Sequence, residues 1–276
     1  MTRVSLSLLK AGHCSHPQAA TIRGGSLRPA IFPALAALIR HPSEGWILFD
    51  TGYDRRFLEV TRRLPERLYR WLTPPVIAPE QEAATQLRAR GIAPEAVRHV
   101  VLSHFHADHV AGVHHFPDAA IHCARAGLEH VCSRGRLRSL IAGTPQGLLP
   151  ADLAKRARFF EDAPRAPLST DLAPFEDGAD LLGDGSLVAV ELPGHCIGPW
   201  GLVVDAEEGP HFLVADAAWS SEAIRRDVPP PRLVADLLGN ARAGRETLNR
   251  LHRLRIRNSE LRMTPSHCGE CAETVE

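Results

Sequence analysis

Apolar runs at 4–9, 35–39 and 46–49 have the length and aliphatic content of β-strands. The third stops at Asp50-Thr51-Gly52, a turn-forming tripeptide. From 55 to 71 the apolar spacing becomes helical, and Pro65 is expected to break that helix because its ring clashes with the preceding turn. A cleaner amphipathic helix follows over 80–90, closed by Gly91. Residues 97–102 form a β-branched run that empties into Ser103-His104. A strand at 119–122 and a short helix at 124–131 come next. Weak helices are expected at 134–140 and 151–160, inside an irregular stretch over 133–180. Strands at 187–192, 201–204 and 212–214 precede one long helix over 233–254, and a last strand at 261–263 runs into Ser266-His267. Strands alternating with helices predict an α/β class.

The two halves of this pattern echo each other. Ile47-Leu48-Phe49-Asp50 and Leu213-Val214-Ala215-Asp216 are apolar runs that end in Asp. Val101-Leu102-Ser103-His104 and Thr264-Pro265-Ser266-His267 both end in Ser-His. If the echo is structural, each half delivers an Asp and a His to one edge of a sheet.

A length of 276 residues suits one domain with its own core, expected here over 1–276, with 133–180 as an insertion capping one face. Lys+Arg and Asp+Glu balance at 32 each, which argues against a partner bound by bulk charge, nucleic acid above all. No run of 18 apolar residues offers a membrane span, and the first residues lack a secretory pattern, so a cytoplasmic location is expected. The six cysteines do not space as a disulfide framework, and reduced thiols are expected. Histidine is the anomaly: 15 residues against two tyrosines.

Candidate chemistry gathers around His104-Phe105-His106-Ala107-Asp108-His109, three imidazoles and a carboxylate in six residues just past a strand. Imidazole suits borderline divalent ions, and a carboxylate adds an anionic donor. His195, Asp216 and His267 each stand where a strand ends and a loop begins, the usual position for ligands held by a rigid scaffold. Outside this set, His114 and His115 read as partly buried or solvated side chains. His13, Cys14 and His16 have no metal-site spacing. Cys196 and Cys268 read as small buried hydrophobes, and Cys268-Gly-Glu-Cys271, without a second pair, is a weak zinc or redox signal.

With Phe49-Asp50-Thr51-Gly52, His104–His109, Pro193-Gly194-His195, Asp216 and His267 in this order, the chain resembles the metallo-β-lactamase superfamily over nearly its whole length. The resemblance implies an αβ/βα four-layer sandwich with a dinuclear metal site at one edge of its two sheets. It implies that His104, His106 and His195 hold one ion, that Asp108, His109 and His267 hold the other, and that Asp216 bridges them. Asp50 would orient the ligands without being one. Two divalent cations are thereby implied, zinc first, with Mn²⁺, Fe²⁺ or Co²⁺ also compatible with such donors.

Within the superfamily the chain is most similar to the acyl-homoserine lactonase-like group. That group usually carries Tyr three residues after the bridging Asp, where this chain has Trp219. An indole N–H donates but cannot accept, so lactonase activity is expected to be weak unless Tyr53, after the Asp-Thr-Gly turn, supplies a substitute donor. The implied activity is hydrolysis of a lactone, ester or thioester by a metal-bridging hydroxide, with Asp108 and Asp216 handling the proton, on a small-molecule substrate. Leu137, Leu140, Ile141, Leu148 and Leu149 of the insertion are expected to meet an acyl tail. A phosphodiesterase of the same fold, a mononuclear iron oxygenase acting on persulfides, and a silent binding module are the alternatives.

Overall fold

The computed structural model describes residues 2–145 and 147–275. Thirteen strands form two sheets among these residues: β1 (Ser5–Pro17), β2 (Pro29–His41), β3 (Gly45–Phe49), β4 (Pro75–Val76), β5 (Val97–Val101), β6 (Ala120–Cys123), β7 (Ala157–Phe159), β8 (Arg165–Pro167), β9 (Asp177–Asp180), β10 (Leu187–Glu191), β11 (Trp200–Ala206), β12 (Gly209–Ala215) and β13 (Arg262–Pro265). The first sheet has the order β4-β1-β2-β3-β5-β6-β7, and the second β13-β12-β11-β10-β9-β8.

Side chains alternate across each strand, so one strand can serve two cores. Ala37, Ile39, Ile47 and Phe49 face inward and meet Leu187, Ala189, Leu202 and Leu213 of the other sheet. Their neighbours Ala36, Leu38 and Leu48 face outward onto Leu87 of helix Ala83–Ala89, Phe116 and Leu128. On the far side Val188, Val190, Phe212 and Val214 pack against Ile224 of helix Ser221–Arg226 and against Leu248, Leu251 and Leu254 of helix Ala241–Arg257. Helices, sheet, sheet, helices is the αβ/βα sandwich. Burial on both faces explains why these strands read as continuous apolar runs.

Several elements depart from the sequence pattern. The long helix expected over 233–254 is two, Arg232–Leu238 and Ala241–Arg257, divided at Gly239-Asn240, where the Asn240 side chain accepts from the Ala243 N–H and starts a new helix. The helix expected over 151–160 covers only Leu153–Arg156, and the chain then enters β7, because parallel pairing with β6 outweighs the local helical spacing. Residues 55–71 do break near Pro65, into helices Arg55–Val60 and Glu66–Leu72. Within 133–180, β7, β8 and β9 belong to the two sheets, and the described residues 133–145 and 147–156 lie outside them.

The site edge follows from strand direction. β3 runs parallel to β5, and β12 parallel to β13, so each pair ends on the same side. β10 is antiparallel to β11, which is antiparallel to β12, so β10 points the same way as β12. The echo between the halves is therefore structural: each apolar run ending in Asp lies beside a strand ending in Ser-His. Both runs end in a non-glycine residue in the left-handed region, Asp50 at φ 57° and Ala215 at φ 48°. The two sheets are joined at this edge by the Leu35 N–H to Ser266 carbonyl and Trp200 N–H to Ser103 carbonyl bonds, both 2.9 Å.

Gly194 is required where the strand-end loop carrying His195 crosses helix Ala241–Arg257. Its φ is +137°, and a Cβ there would lie 2.1 Å from the Gly244 Cα. The reverse substitution is benign, since a Cβ on Gly244 meets Gly194 only at 3.6 Å. Gly194→Ala should therefore lower stability by about 2–3 kcal/mol, whereas Gly244→Ala should be neutral or raise it by up to about 1 kcal/mol through helix propensity. Thermal denaturation of both variants checks this, and equal losses would contradict the crossing geometry.

Candidate metal centre

The strand ends bring His104, His106, Asp108, His109, His195, Asp216 and His267 together at one edge. They fall into two groups whose ligand atoms lie within 4.8 Å of one another: His104, His106, His195 and Asp216, and Asp108, His109 and His267. In the first group His106 Nδ1 lies 3.0 Å from His104 Nε2 and 2.9 Å from His195 Nε2. Asp216 Oδ2 lies 3.2 Å from His195 Nε2 and 3.1 Å from His267 Nε2, so this carboxylate spans both groups. In the second, His267 Nε2 lies 3.4 Å from Asp108 Oδ2 and His109 Nε2 3.9 Å from Asp108 Oδ1.

Behind these atoms the orientation of the rings is fixed. Asp50, fully buried, accepts from the Ser103 N–H and hydroxyl, each at 2.8 Å, and its Oδ2 lies 2.8 Å from His109 Nδ1. A carboxylate can only accept, so His109 Nδ1 carries a proton and Nε2 is the nitrogen turned into the site. The Pro33 carbonyl, 2.7 Å from His267 Nδ1, does the same for His267. Thr51 donates to the His109 carbonyl and accepts from the Gly112 N–H, tying the turn after β3 to the histidine motif. Ser103 was not singled out from the sequence; the matched Ser-His pairs at the two strand ends were the signal that could have found it.

The charges conflict. Burial, and then the neighbouring rings, hold His104 well below the ordinary histidine range. Burial first, then His195, brings His106 to about 3, and burial also lowers His195. These three are neutral lone-pair donors. Burial pulls His109 and His267 the same way, but the surrounding carboxylates outweigh it, raising His109 far up and His267 to about 9. Burial would raise Asp216; His267, His109 and His195 instead hold it well below its usual value. Two of the three buried side-chain atoms without a hydrogen-bond partner among the described residues are here, His109 Nε2 and Asp216 Oδ1, 3.4 Å apart. Such orphans are costly, and divalent cations would satisfy them, so the donor set fits metal ions.

Trp219 stands edge-on to two of the rings, 5.8 Å from His195 and 6.2 Å from His267 between centroids. It lines a cleft of about 740 Å³ together with His195, Asp216, Pro229, Pro230 and Leu238. A larger groove of about 1080 Å³ is lined by Leu6, His211, Arg255 and Arg262 and by none of these donors. Tyr53 is only 1% exposed and packs edge-on to Phe57 in an apolar cluster with Cys14, Ala107 and Leu148. Leu148 is thus core rather than cleft wall. Of the other apolar residues of that stretch, Leu137 and Ile141 are exposed. The stretch does abut the motif, since the Gly143 carbonyl accepts from the Ala107 N–H and Thr144 donates to the Phe105 carbonyl.

The metallo-β-lactamase superfamily pattern matches residues 31–257. The chain is 30% identical over 158 residues to the N-acyl homoserine lactonase AttM of Azorhizobium caulinodans, covering 54% of each protein. It spans about half the length of the curated relatives it matches. An N-acyl homoserine lactone hydrolase, solved with the product N-hexanoyl-L-homoserine at its catalytic metal centre, superposes with a TM-score of 0.72 at 18% identity over all of this chain and 98% of that one. AidC, a dizinc quorum-quenching lactonase, gives 0.62 at 15% identity over 96% of this chain and 88% of that one. At these identities the structures establish a shared fold.

Asp50 is expected to matter without touching an ion. Asp50→Asn keeps the volume but can present an N–H to His109 Nδ1, turning the ring or its tautomer. Metal affinity should fall by about 10–100-fold, with circular dichroism unchanged. Competition with a chromogenic chelator measures this, and wild-type affinity in the variant would refute the role.

Proposed function

The chain belongs to the metallo-β-lactamase superfamily, and from this we propose that it is a dinuclear metal-dependent hydrolase of a small lactone, ester or thioester. The observation that carries the proposal is the orphaned pair His109 Nε2 and Asp216 Oδ1, set where the two donor groups meet. His104, His106 and His195 would hold one ion, Asp108, His109 and His267 the other, and Asp216 both. When bound, two divalent ions supply Lewis acidity and bring the ionisation of water toward neutral pH.

The residues of the chain do the rest. Asp108 and Asp216 place two negative charges among five imidazoles, offsetting the charge of the cations and offering carboxylate oxygens to accept a proton. The cleft beside His195 and Asp216 receives the substrate, and Trp219 forms the wall closest to the site. Its indole N–H can donate to a carbonyl oxygen but cannot return a proton. Tyr53 is buried in the Phe57 cluster and carries no step in this reading. Residues 133–145 abut the motif through Gly143 and Thr144, and Leu137 and Ile141 are their exposed apolar groups.

Arginines line the same cleft, which at first suggests a phosphodiester. Three of them are already committed: Arg232 to Asp236, Arg242 to Glu246 and Arg245 to Asp227. Arg23 also lines the cleft, and the Arg232 and Arg242 pairs are exposed and weak, so the carbonyl reading rests on the donor set and not on these arginines. Seven donors in two groups likewise favour two ions over the single iron of a persulfide oxygenase.

Zinc-loaded chain should carry two ions that depend on these seven donors, and Asp216→Ala should weaken both. One tightly held ion in fully loaded protein would sink the dinuclear reading. A panel of lactones, thioesters and phosphodiesters should show turnover confined to the carbonyl substrates.

Trp219→Tyr supplies a hydroxyl that can donate to the carbonyl oxygen. It should raise kcat for N-acyl homoserine lactones, by up to about 10²–10³ if that donor is all the wild type lacks. Efficient wild-type turnover, with no gain in the variant, would show that the indole suffices.

A further inference from the structure

Some way from the seven donors, Asp54, His114 and His115 form a third cluster whose ligand atoms also lie within 4.8 Å of one another. Asp54 follows β3 and caps helix Arg55–Val60, accepting from the Arg56 N–H at 2.8 Å. The two histidines lie in the single turn Val113–His115, just past the histidine motif. His115 Nε2 lies 2.9 Å from Asp54 Oδ2, and His114 Nε2 lies 3.6 Å from Oδ1. Their ring centroids lie 4.1 Å apart with the planes tilted by 37°. The carboxylate side chain is 4% exposed, while the two imidazoles are 30% and 24% exposed, so solvent reaches the nitrogens.

One hydrogen bond makes this arrangement informative. His114 Nδ1 lies 2.9 Å from the Ala111 carbonyl, which can only accept. Nδ1 therefore carries the proton, and Nε2 of the neutral ring presents a lone pair. Burial, then His115, lowers the pKa of His114, so the ring is neutral near pH 7. Burial would raise the Asp54 carboxyl, but the bonds from His115 and the Arg56 N–H outweigh it, and the group is ionised. A lone pair thus faces a carboxylate oxygen with no proton between them. That contact is repulsive by itself and attractive around a cation.

We propose that Asp54, His114 and His115 form a second, separate site for one borderline divalent cation of the zinc class. Two imidazole nitrogens and one carboxylate oxygen are a three-donor set for such an ion, and the open side leaves room for water as a fourth ligand. The site shares no donor with the larger cluster. It joins the same two segments that the Thr51 bonds join, the turn after β3 and the turn after the histidine motif, so its role is to clamp them together.

The test is a difference, and so is independent of how many ions the larger cluster holds. Wild-type chain, Asp54→Asn and His114→Gln/His115→Gln are loaded with zinc, gel-filtered and analysed for metal. Asp54→Asn keeps an oxygen to cap the helix but removes the charge. Wild type should carry one ion more per chain than either variant, and each variant should lose about 100-fold or more in affinity at this site, beyond what loss of a mere supporting group produces. Equal stoichiometry in all three proteins would overturn the proposal. A second measurement needs no variant: in native chain, zinc should protect His114 and His115 from carbethoxylation by diethyl pyrocarbonate, read by peptide mass spectrometry. Full modification of both at saturating zinc would overturn it equally.

Discussion

Five imidazoles and two carboxylates are packed at one sheet edge, and two of their buried atoms are left without a hydrogen-bond partner. The structure depends on that constraint. Leaving a buried polar atom unpaired costs about 1–3 kcal/mol, and a charged one more. His109 Nε2 and Asp216 Oδ1 are in that position. The surroundings do not relieve them: Asp50, Ser103, Thr51 and the Pro33 carbonyl fix the rings so that their inner nitrogens converge. A fold optimised for stability alone would fill this edge with apolar side chains. Here backbone geometry is committed to the opposite arrangement, with two residues in the left-handed region at the strand ends and a glycine crossing that admits no Cβ behind His195.

The scaffold converts topology into proximity. Parallel pairs β3/β5 and β12/β13 each deliver a carboxylate and a Ser-His to the same side, and β10 delivers His195 between them. Asp108 and His267, 159 positions apart in sequence, then meet within one donor group. The two halves do not use their parts identically. Asp50 turns back to orient His109 and Ser103, while Asp216, at the equivalent strand end, faces the donors directly. One carboxylate orients and the other spans.

Much of this was legible in the sequence, and the reason is physical. Strands buried on both faces leave uninterrupted apolar runs, and donors placed where such runs stop stand out, as His104, His195, Asp216 and His267 do. What escaped depended on context. β7 has helical spacing and becomes a strand only because β6 offers a partner. β8 and β9 carry Pro, Gly and Asp, and pair only within the assembled sheet. Gly239-Asn240 looked like two residues of a long helix, yet a Cβ on Gly239 would strike the Gly194 carbonyl. Tyr53 looked like a loop residue beside the site, but its ring is drawn into the Phe57 cluster. His114 and His115 looked like ordinary solvated histidines because nothing in their spacing points to Asp54, 60 positions upstream of His114.

The central claim is that cations, rather than protons, are the natural complement of this edge. The most direct measurement is the thermal unfolding midpoint of chelator-stripped chain against the same chain with zinc at about 100 times its dissociation constant. Ligand linkage then stabilises by about 2.7 kcal/mol per site, which for a domain of this size raises the midpoint by roughly 5–10 °C. A rise of that order, reversed by chelator, is the predicted result. A midpoint unmoved by zinc would show that the cluster is satisfied without metal, and would contradict the account.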